Sequence, residues 1–141
     1  MRFATGRSLS EGFPSQSYEP RKVPKASVVV VANDAVIGAL MGALVELSGH
    51  TPIFPAADES PIRAISRVGP ALVLLDCEHY LACEDEMFRC AQTVGARVLL
   101  FSAARTQYET EELAKQRGCS SITLPIRYHD FRREIEGALQ G

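Results

Sequence analysis

The chain has 141 residues, of which 46% are hydrophobic and 23% charged, with a formal net charge of −2. That is enough for one core without disulfide or metal staples and too little for two full domains. The mild acidity argues against a general nucleic-acid binder, and no run approaches the ~18 consecutive apolar residues of a membrane helix.

Residues 1–25 hold five basic groups and two acids, with three prolines, two glycines, four serines and no apolar periodicity. This composition predicts a flexible basic tail ahead of a folded body over 26–141. The body then carries −5. Met1 to Gly6 lack the apolar core of a secretory signal, so the expected compartment is the cytoplasm. Cys77, Cys83, Cys90 and Cys119 contain no C-x-x-C pair and are expected as reduced thiols. His79 and Cys83 lie four apart, but a zinc site needs two further ligands that the spacing does not supply.

Val28 to Ala32 is an unbroken apolar run, as in a strand covered on both faces. Asn33-Asp34 ends it and can cap a helix in which Ile37, Leu40, Met41, Leu44 and Val45 form a stripe. Gly38 and Gly42 read as small residues that let this helix lie close to the sheet. Thr51 to Ala56 predicts a short strand placed at an edge by its prolines. Ser60-Pro61 opens a helix with Ile62, Ile65 and Val68 on one face. Ala71 to Leu75 is the second wholly apolar strand, followed directly by Asp76. A helix of open start runs through Glu84 to Thr93. Arg97 to Phe101 is the next apolar strand, ending at Ser102. A charged helix from Thr110 to Arg117, a strand from Ser121 to Pro125 and a helix from His129 with Phe131, Ile135, Ala138 and Leu139 on one face complete the chain.

The order is (βα)5, which predicts a doubly wound α/β domain with a five-stranded parallel sheet in the flavodoxin-like order 2-1-3-4-5. Ligands in such sheets bind beyond the carboxyl ends of the strands, where Asn33, Asp34 and Asp76 fall.

The runs Val28–Asp34, Ala56–Glu59, Pro70–Asp76, Leu99–Ala103 and Thr123–Pro125 resemble the receiver domain of bacterial response regulators. The resemblance covers about residues 27–140. It implies that Asp76 is the phosphoacceptor position of a CheY-like domain, with Mg²⁺ bridging the carboxylate and the phosphoryl oxygens. The acidic pair that holds Mg²⁺ in receivers would fall on Ala32 and Asn33, or on Asn33 and Asp34 with a one-residue slip. Either way at least one carboxylate is missing, leaving Asp34 and Asp76 for weak Mg²⁺ binding at most. The plainer reading of Asn33-Asp34 is a helix cap. Ser102 matches the hydroxyl residue that bonds a phosphoryl oxygen, and it can equally satisfy a local backbone group.

The largest departure is Leu124. Receivers carry a lysine just before a proline, and here Leu124 precedes Pro125. Ser121 stands where the aromatic switch residue is common. Arg127 is the only nearby alternative cation in this reading. A phosphoaspartate at Asp76 would therefore add negative charge without its usual neutralising partners.

The resemblance implies an atypical, degenerate receiver: a stand-alone, non-enzymatic module of two-component signalling that acts by protein–protein contact. The alternative is a phosphorylation-competent single-domain regulator that accepts a phosphoryl group on Asp76 from a histidine kinase. Its expected contact surface is the fourth helix, fifth strand and fifth helix. That surface offers Tyr108, Glu111, Lys115, Arg117, Arg127, Tyr128 and Arg132 to a histidine kinase, another signalling protein or a second copy. No nucleic-acid or membrane partner is expected. A flavin site is disfavoured because Asn33-Asp34-Ala35 is short and acidic and would repel a phosphate. A reactive Cys77 is disfavoured because Asp76 and Glu78 would raise its pKa.

Overall fold

The computed structural model describes residues 24–140, so the expected tail falls outside the description except for Pro24 and Lys25. The elements are β1 (Ser27–Val31), α1 (Ala35–Leu47), β2 (Thr51–Ile53), α2 (Pro61–Val68), β3 (Leu72–Asp76), α3 (Asp85–Thr93), β4 (Arg97–Ser102), α4 (Gln107–Arg117), β5 (Ser120–Thr123) and α5 (Tyr128–Gln140), with a 3₁₀ turn at Tyr80–Cys83 before α3. All strand pairs are parallel and the sheet order is β2-β1-β3-β4-β5. The proline-bearing β2 is an edge strand, as expected. No helix among the described residues is long and apolar enough to cross a membrane.

Alternation along the strands sorts the core into two layers. Val28, Val30, Leu72, Leu74, Leu99, Phe101 and Ile122 face Met41 and Val45 of α1 and Phe131 and Ile135 of α5. Val29, Val31, Val73, Leu75 and Leu100 face Ile65 of α2, Met87 and Ala91 of α3 and Ala114 of α4. Both faces of β1, β3 and β4 are covered, which is why these strands read as continuous apolar runs.

Three local differences from the sequence reading have simple causes. The buried face of α1 is Gly38, Met41, Gly42 and Val45, with Leu40 turned out to 46% exposure. The helix is apolar on nearly all sides, so its periodicity does not fix which side faces the sheet. A Cβ on Gly42 would stand 2.5 Å from the tip of the Phe54 ring, and one on Gly38 3.3 Å from the Ala32 Cβ. The glycines therefore permit the close approach that the sequence predicts for them. The charged helix α4 begins at Gln107 rather than Thr110, because Thr106 and Glu109 form a reciprocal capping box. β5 ends at Thr123, so Leu124 and Pro125 lie just past the strand.

Candidate functional site

The strand ends converge on Asp76. This residue closes β3, is 5% exposed, and sits between β1 and β4 in the sheet. Its Oδ2 accepts the backbone N–H of Asn33 at 3.0 Å, and its Oδ1 accepts the backbone N–H of Glu78 at 2.9 Å. The carboxylate thus ties the β1–α1 loop to the loop after β3. Each carboxylate oxygen carries a second lone pair, so the anchoring occupies about half of its acceptor capacity.

Asp34 follows the cap reading. Its Oδ1 accepts from Val36 N at 2.7 Å and Ile37 N at 3.1 Å as the N-cap of α1. Asn33 contributes its main chain to Asp76. Ser102 is fully buried, and its Oγ accepts the N–H groups of Ala104 at 3.2 Å and Arg105 at 2.8 Å. That is the local backbone role weighed for it from sequence. Its carbonyl takes the Leu124 N–H at 2.8 Å, which brings Leu124 and Pro125 to the same end of the sheet. The Leu124 side chain packs into the apolar layer beneath α1 and α5. The Leu124–Pro125 peptide is cis.

Two contributors were not singled out from sequence. Arg105 donates from Nε to Oε2 of Glu78 at 2.8 Å, bridging the β4–α4 loop to the loop after β3. It lies three residues beyond Ser102, and a search for a cation confined to Leu124 and Arg127 passes it by. The signal was the basic residue in the loop that Ser102 folds inward. His79 caps the 3₁₀ turn through Nδ1 and stacks on Tyr80. Burial lowers its pKa from 6.5, and nearby Asp76 partly opposes that. The Cys77 thiol is pushed up to about 11, first by burial and then by the Asp76 and Glu78 charges, against a lowering by Arg105. Burial is thus the larger cause, ahead of the neighbouring anions that the sequence pointed to.

Among the described residues no three His, Cys, Asp or Glu side chains cluster as a metal site. Mg²⁺ is held by one or two carboxylates and otherwise by water; the residues that would hold it here are Asp76, whose oxygens each take one N–H group, and Asp34, which caps α1.

The expected contact surface is partly used within the chain. Tyr108 is 71% exposed and Lys115 and Arg127 are exposed. Arg132 pairs with Glu136 at 3.2 Å, and the Tyr128 hydroxyl donates to the Leu47 carbonyl at 2.6 Å. Arg117 belongs to the α3 side, paired with Asp85 at 2.7 Å and lying over the Phe88 ring.

No family model matches the chain, and no curated protein matches it. Solved structures do. A response regulator receiver protein from Burkholderia phymatum is 22% identical with a TM-score of 0.68, over 82% of this chain and 96% of that one. A response regulator from Thermotoga maritima is 17% identical with a TM-score of 0.67, over 83% of this chain and 99% of that one. NtrX from Brucella abortus is 29% identical with a TM-score of 0.69 over 82% of this chain, which spans 27% of that longer protein. The chain has the receiver fold.

Within that fold Asp76 closes β3, and its surroundings differ from what the resemblance implies. Leu124 is a partly buried aliphatic side chain packed against the α1 and α5 layer. The hydroxyl and both carboxylate oxygens are engaged with main-chain donors, and the cation at the rim comes from Arg105, itself held by Glu78.

Proposed function

We propose that this chain is an atypical response-regulator receiver that signals through protein–protein contact, with phosphoryl switching at Asp76 weak or lost. The single observation that carries this reading is the pairing of Asp76 with main-chain donors on two loops, while the position just past β5 at the same end of the sheet supplies Leu124 instead of a cation. An acyl phosphate there would carry added negative charge at a buried position, and uncompensated buried charge costs several kcal/mol. In this reading Asp76 is a clasp that fixes the loops in one arrangement. The chain then works as a scaffold whose surfaces are read by a partner, with no catalysis of its own. The α4–β5–α5 face, through Tyr108, Lys115, Arg127, Tyr128 and Arg132, is the proposed surface for a signalling protein or a second copy.

A second reading rests on Arg105. If its guanidinium left Glu78 and turned to Asp76, it would supply the missing positive charge, and Asp76 would accept a phosphoryl group from a histidine kinase. The test for both is incubation with acetyl phosphate, and separately with beryllofluoride and Mg²⁺, followed by intact mass and ¹H–¹⁵N NMR spectra. The first reading expects no stable adduct and no shifts spreading from Asp76 at millimolar Mg²⁺. A stable adduct that is lost in Asp76→Asn, with shifts reaching α4 and β5, establishes the second. In that case Arg105→Ala abolishes the adduct and Arg105→Lys retains part of it.

A further inference from the structure

Among the described residues a single buried side-chain nitrogen or oxygen lacks a hydrogen-bond partner, Nε2 of His50. Buried polar groups are nearly always paired, so each exception has a reason. His50 is 3% exposed and joins α1 to the edge strand β2. Its other ring nitrogen is in use: Nδ1 accepts the N–H of Ala26 at 3.1 Å. The Ala26 carbonyl accepts the Thr51 N–H at 2.9 Å, so the two bonds together close the start of the β1–β2 pair.

The bond to Ala26 assigns the tautomer. A ring nitrogen that accepts carries no hydrogen, so neutral His50 has its hydrogen on Nε2. The orphan is therefore a buried donor without an acceptor. The charged ring is a donor at both nitrogens, and its Nδ1–H would point at the Ala26 N–H. Protonation of His50 and the bond to Ala26 are mutually exclusive.

The acceptor that a charged ring needs lies on α5. Glu136 and Arg132 are the charged groups of that helix that act on His50, Glu136 favouring the charged ring and Arg132 opposing it. The two hold each other, Arg132 Nε to Glu136 Oε2 at 3.2 Å, and the Glu136 side chain is 30% exposed. On the remaining sides the nearest charges in sequence are Lys25, next to Ala26, and Glu46, in the last turn of α1. Both are exposed, and β2 carries no charge. A partly solvated i,i+4 pair contributes little to stability, so little is lost when Glu136 exchanges one cation for another.

We propose that His50 is a proton-operated latch between the β1–β2 edge and α5. Neutral His50 holds Ala26 and leaves the Arg132–Glu136 pair closed. When a proton from solvent binds Nδ1, the ring releases the Ala26 N–H, donates Nε2–H to the Glu136 carboxylate and frees Arg132. Burial opposes the charged ring, so the latch is closed at neutral pH and opens as pH falls below 6.5. Arg132 belongs to the α4–β5–α5 surface proposed above for partner contact. Only the consequence for a partner rests on that reading: the freed guanidinium would favour a partner that brings a carboxylate. The latch itself is independent of that surface and of Asp76, and it is tested on the chain alone.

The measurement is an NMR titration of the full ¹⁵N-labelled chain from pH 8 to pH 5. Long-range ¹H–¹⁵N spectra of the imidazole rings are expected to show His50 with its hydrogen on Nε2 at pH 7.5 and to follow the protonation of Nδ1. The Ala26 amide and the Arg132 Nε–H signal are expected to move with the same midpoint, below 6.5, while the amides of β3 and β4 stay in place. Glu136→Gln, at a half-buried position on α5 and of nearly the same volume, is expected to lower the His50 midpoint by about half a unit, roughly threefold in proton affinity, and to abolish the Arg132 response. His50→Asn is expected to remove the titration of the Ala26 amide. A hydrogen on Nδ1 at pH 7.5 overturns the proposal. So does an Ala26 amide that does not follow His50, or a His50 midpoint that is the same in Glu136→Gln. Shifts that spread over the whole sheet at that midpoint overturn it as well, since they report unfolding instead of a local exchange of partners.

Discussion

The backbone N–H of Asn33 donates to the Asp76 carboxylate at 3.0 Å, joining the ends of the two strands at which the sheet order reverses direction. Each oxygen of that carboxylate takes one main-chain donor. Here it first satisfies main-chain donors at Asn33 and Glu78, and the loop geometry around it depends on that.

The clasp makes Asp76 a stability determinant. Asp76→Asn keeps the volume but turns one acceptor into a donor facing an N–H group, so at least one partner is left unsatisfied. Leaving a buried donor without an acceptor costs about 1–3 kcal/mol. Urea unfolding of Asp76→Asn and Asp76→Ala is expected to show losses in that range, with Asp76→Ala the larger. Unchanged or higher midpoints in both variants would mean that the carboxylate is not holding the loops.

Leu124 gives the complementary gain-of-function experiment. Its side chain is partly buried against the α1 and α5 layer. Leu124→Lys loses part of that packing, about 1 kcal/mol on the scale of one or two buried methylenes, since the lysine stem still covers apolar surface. In exchange it places an ammonium group at the end of the sheet where Asp76 lies. The variant is expected to bind beryllofluoride in the presence of Mg²⁺ at least about tenfold more tightly than the parent, a difference of ~1.4 kcal/mol. Equal and negligible responses would show that a cation at this position is not what the pocket lacks.

The architecture was legible because its signals are redundant. Three strands are apolar on both faces, helices alternate with them, and Pro52 and Pro55 mark an edge. The convergence of Asp34, Asp76, Ser102 and Leu124 follows from topology alone, since each sits at or beside the carboxyl end of a strand. The rest depends on contacts that carry no sequence period. Which side of α1 faces the sheet is undetermined when Val36, Leu40 and Leu47 are as apolar as Met41 and Val45. The Arg105–Glu78 bridge joins loops 27 positions apart, and nothing in either loop announces its partner. The Thr106–Glu109 capping box was readable as Thr-x-x-Glu and would have placed the start of α4 correctly.

Acid should weaken the fold in two separable steps. His50 is buried, its Nδ1 accepts the Ala26 N–H, and its Nε2 has no partner among the described residues. Burial lowers its pKa from 6.5, against a raising by Glu136 and with a further lowering by Arg132, and His79 is lowered chiefly by burial as well. Both therefore bind fewer protons in the folded state than unfolded. Their contribution is complete above pH 6.5 and is lost as pH falls below it. Glu59, bound by Arg67 through two hydrogen bonds and by the Ala56 N–H, is held down to about 2, so its contribution is lost only below its ordinary 4.5. Tm is expected to fall between pH 7 and 5.5, and again below pH 4.5. His50→Asn, which keeps an acceptor near Nδ1, should flatten the upper step while leaving the lower one. A Tm that rises on acidification from pH 7 to 5.5 would contradict the assignment.

Thiol reactivity discriminates a structural core from a catalytic cysteine beside Asp76. Cys77 is 3% exposed and Cys119 is half-buried, and burial pushes both thiols up to about 11. Cys83 is exposed on the 3₁₀ turn. A thiol with a pKa near 11 has on the order of one part in a thousand as thiolate at pH 8. Titration of the native protein with a chromogenic disulfide at pH 8 is therefore expected to label Cys83 first. Cys90, partly covered and within 3.4 Å of the Ser66 hydroxyl, should follow more slowly. Cys77 and Cys119 should react only after denaturant is added. Rapid labelling of Cys77 in the folded protein, blocked by Cys77→Ser, would show an accessible low-pKa thiol at the strand end and would reopen the case for covalent chemistry there.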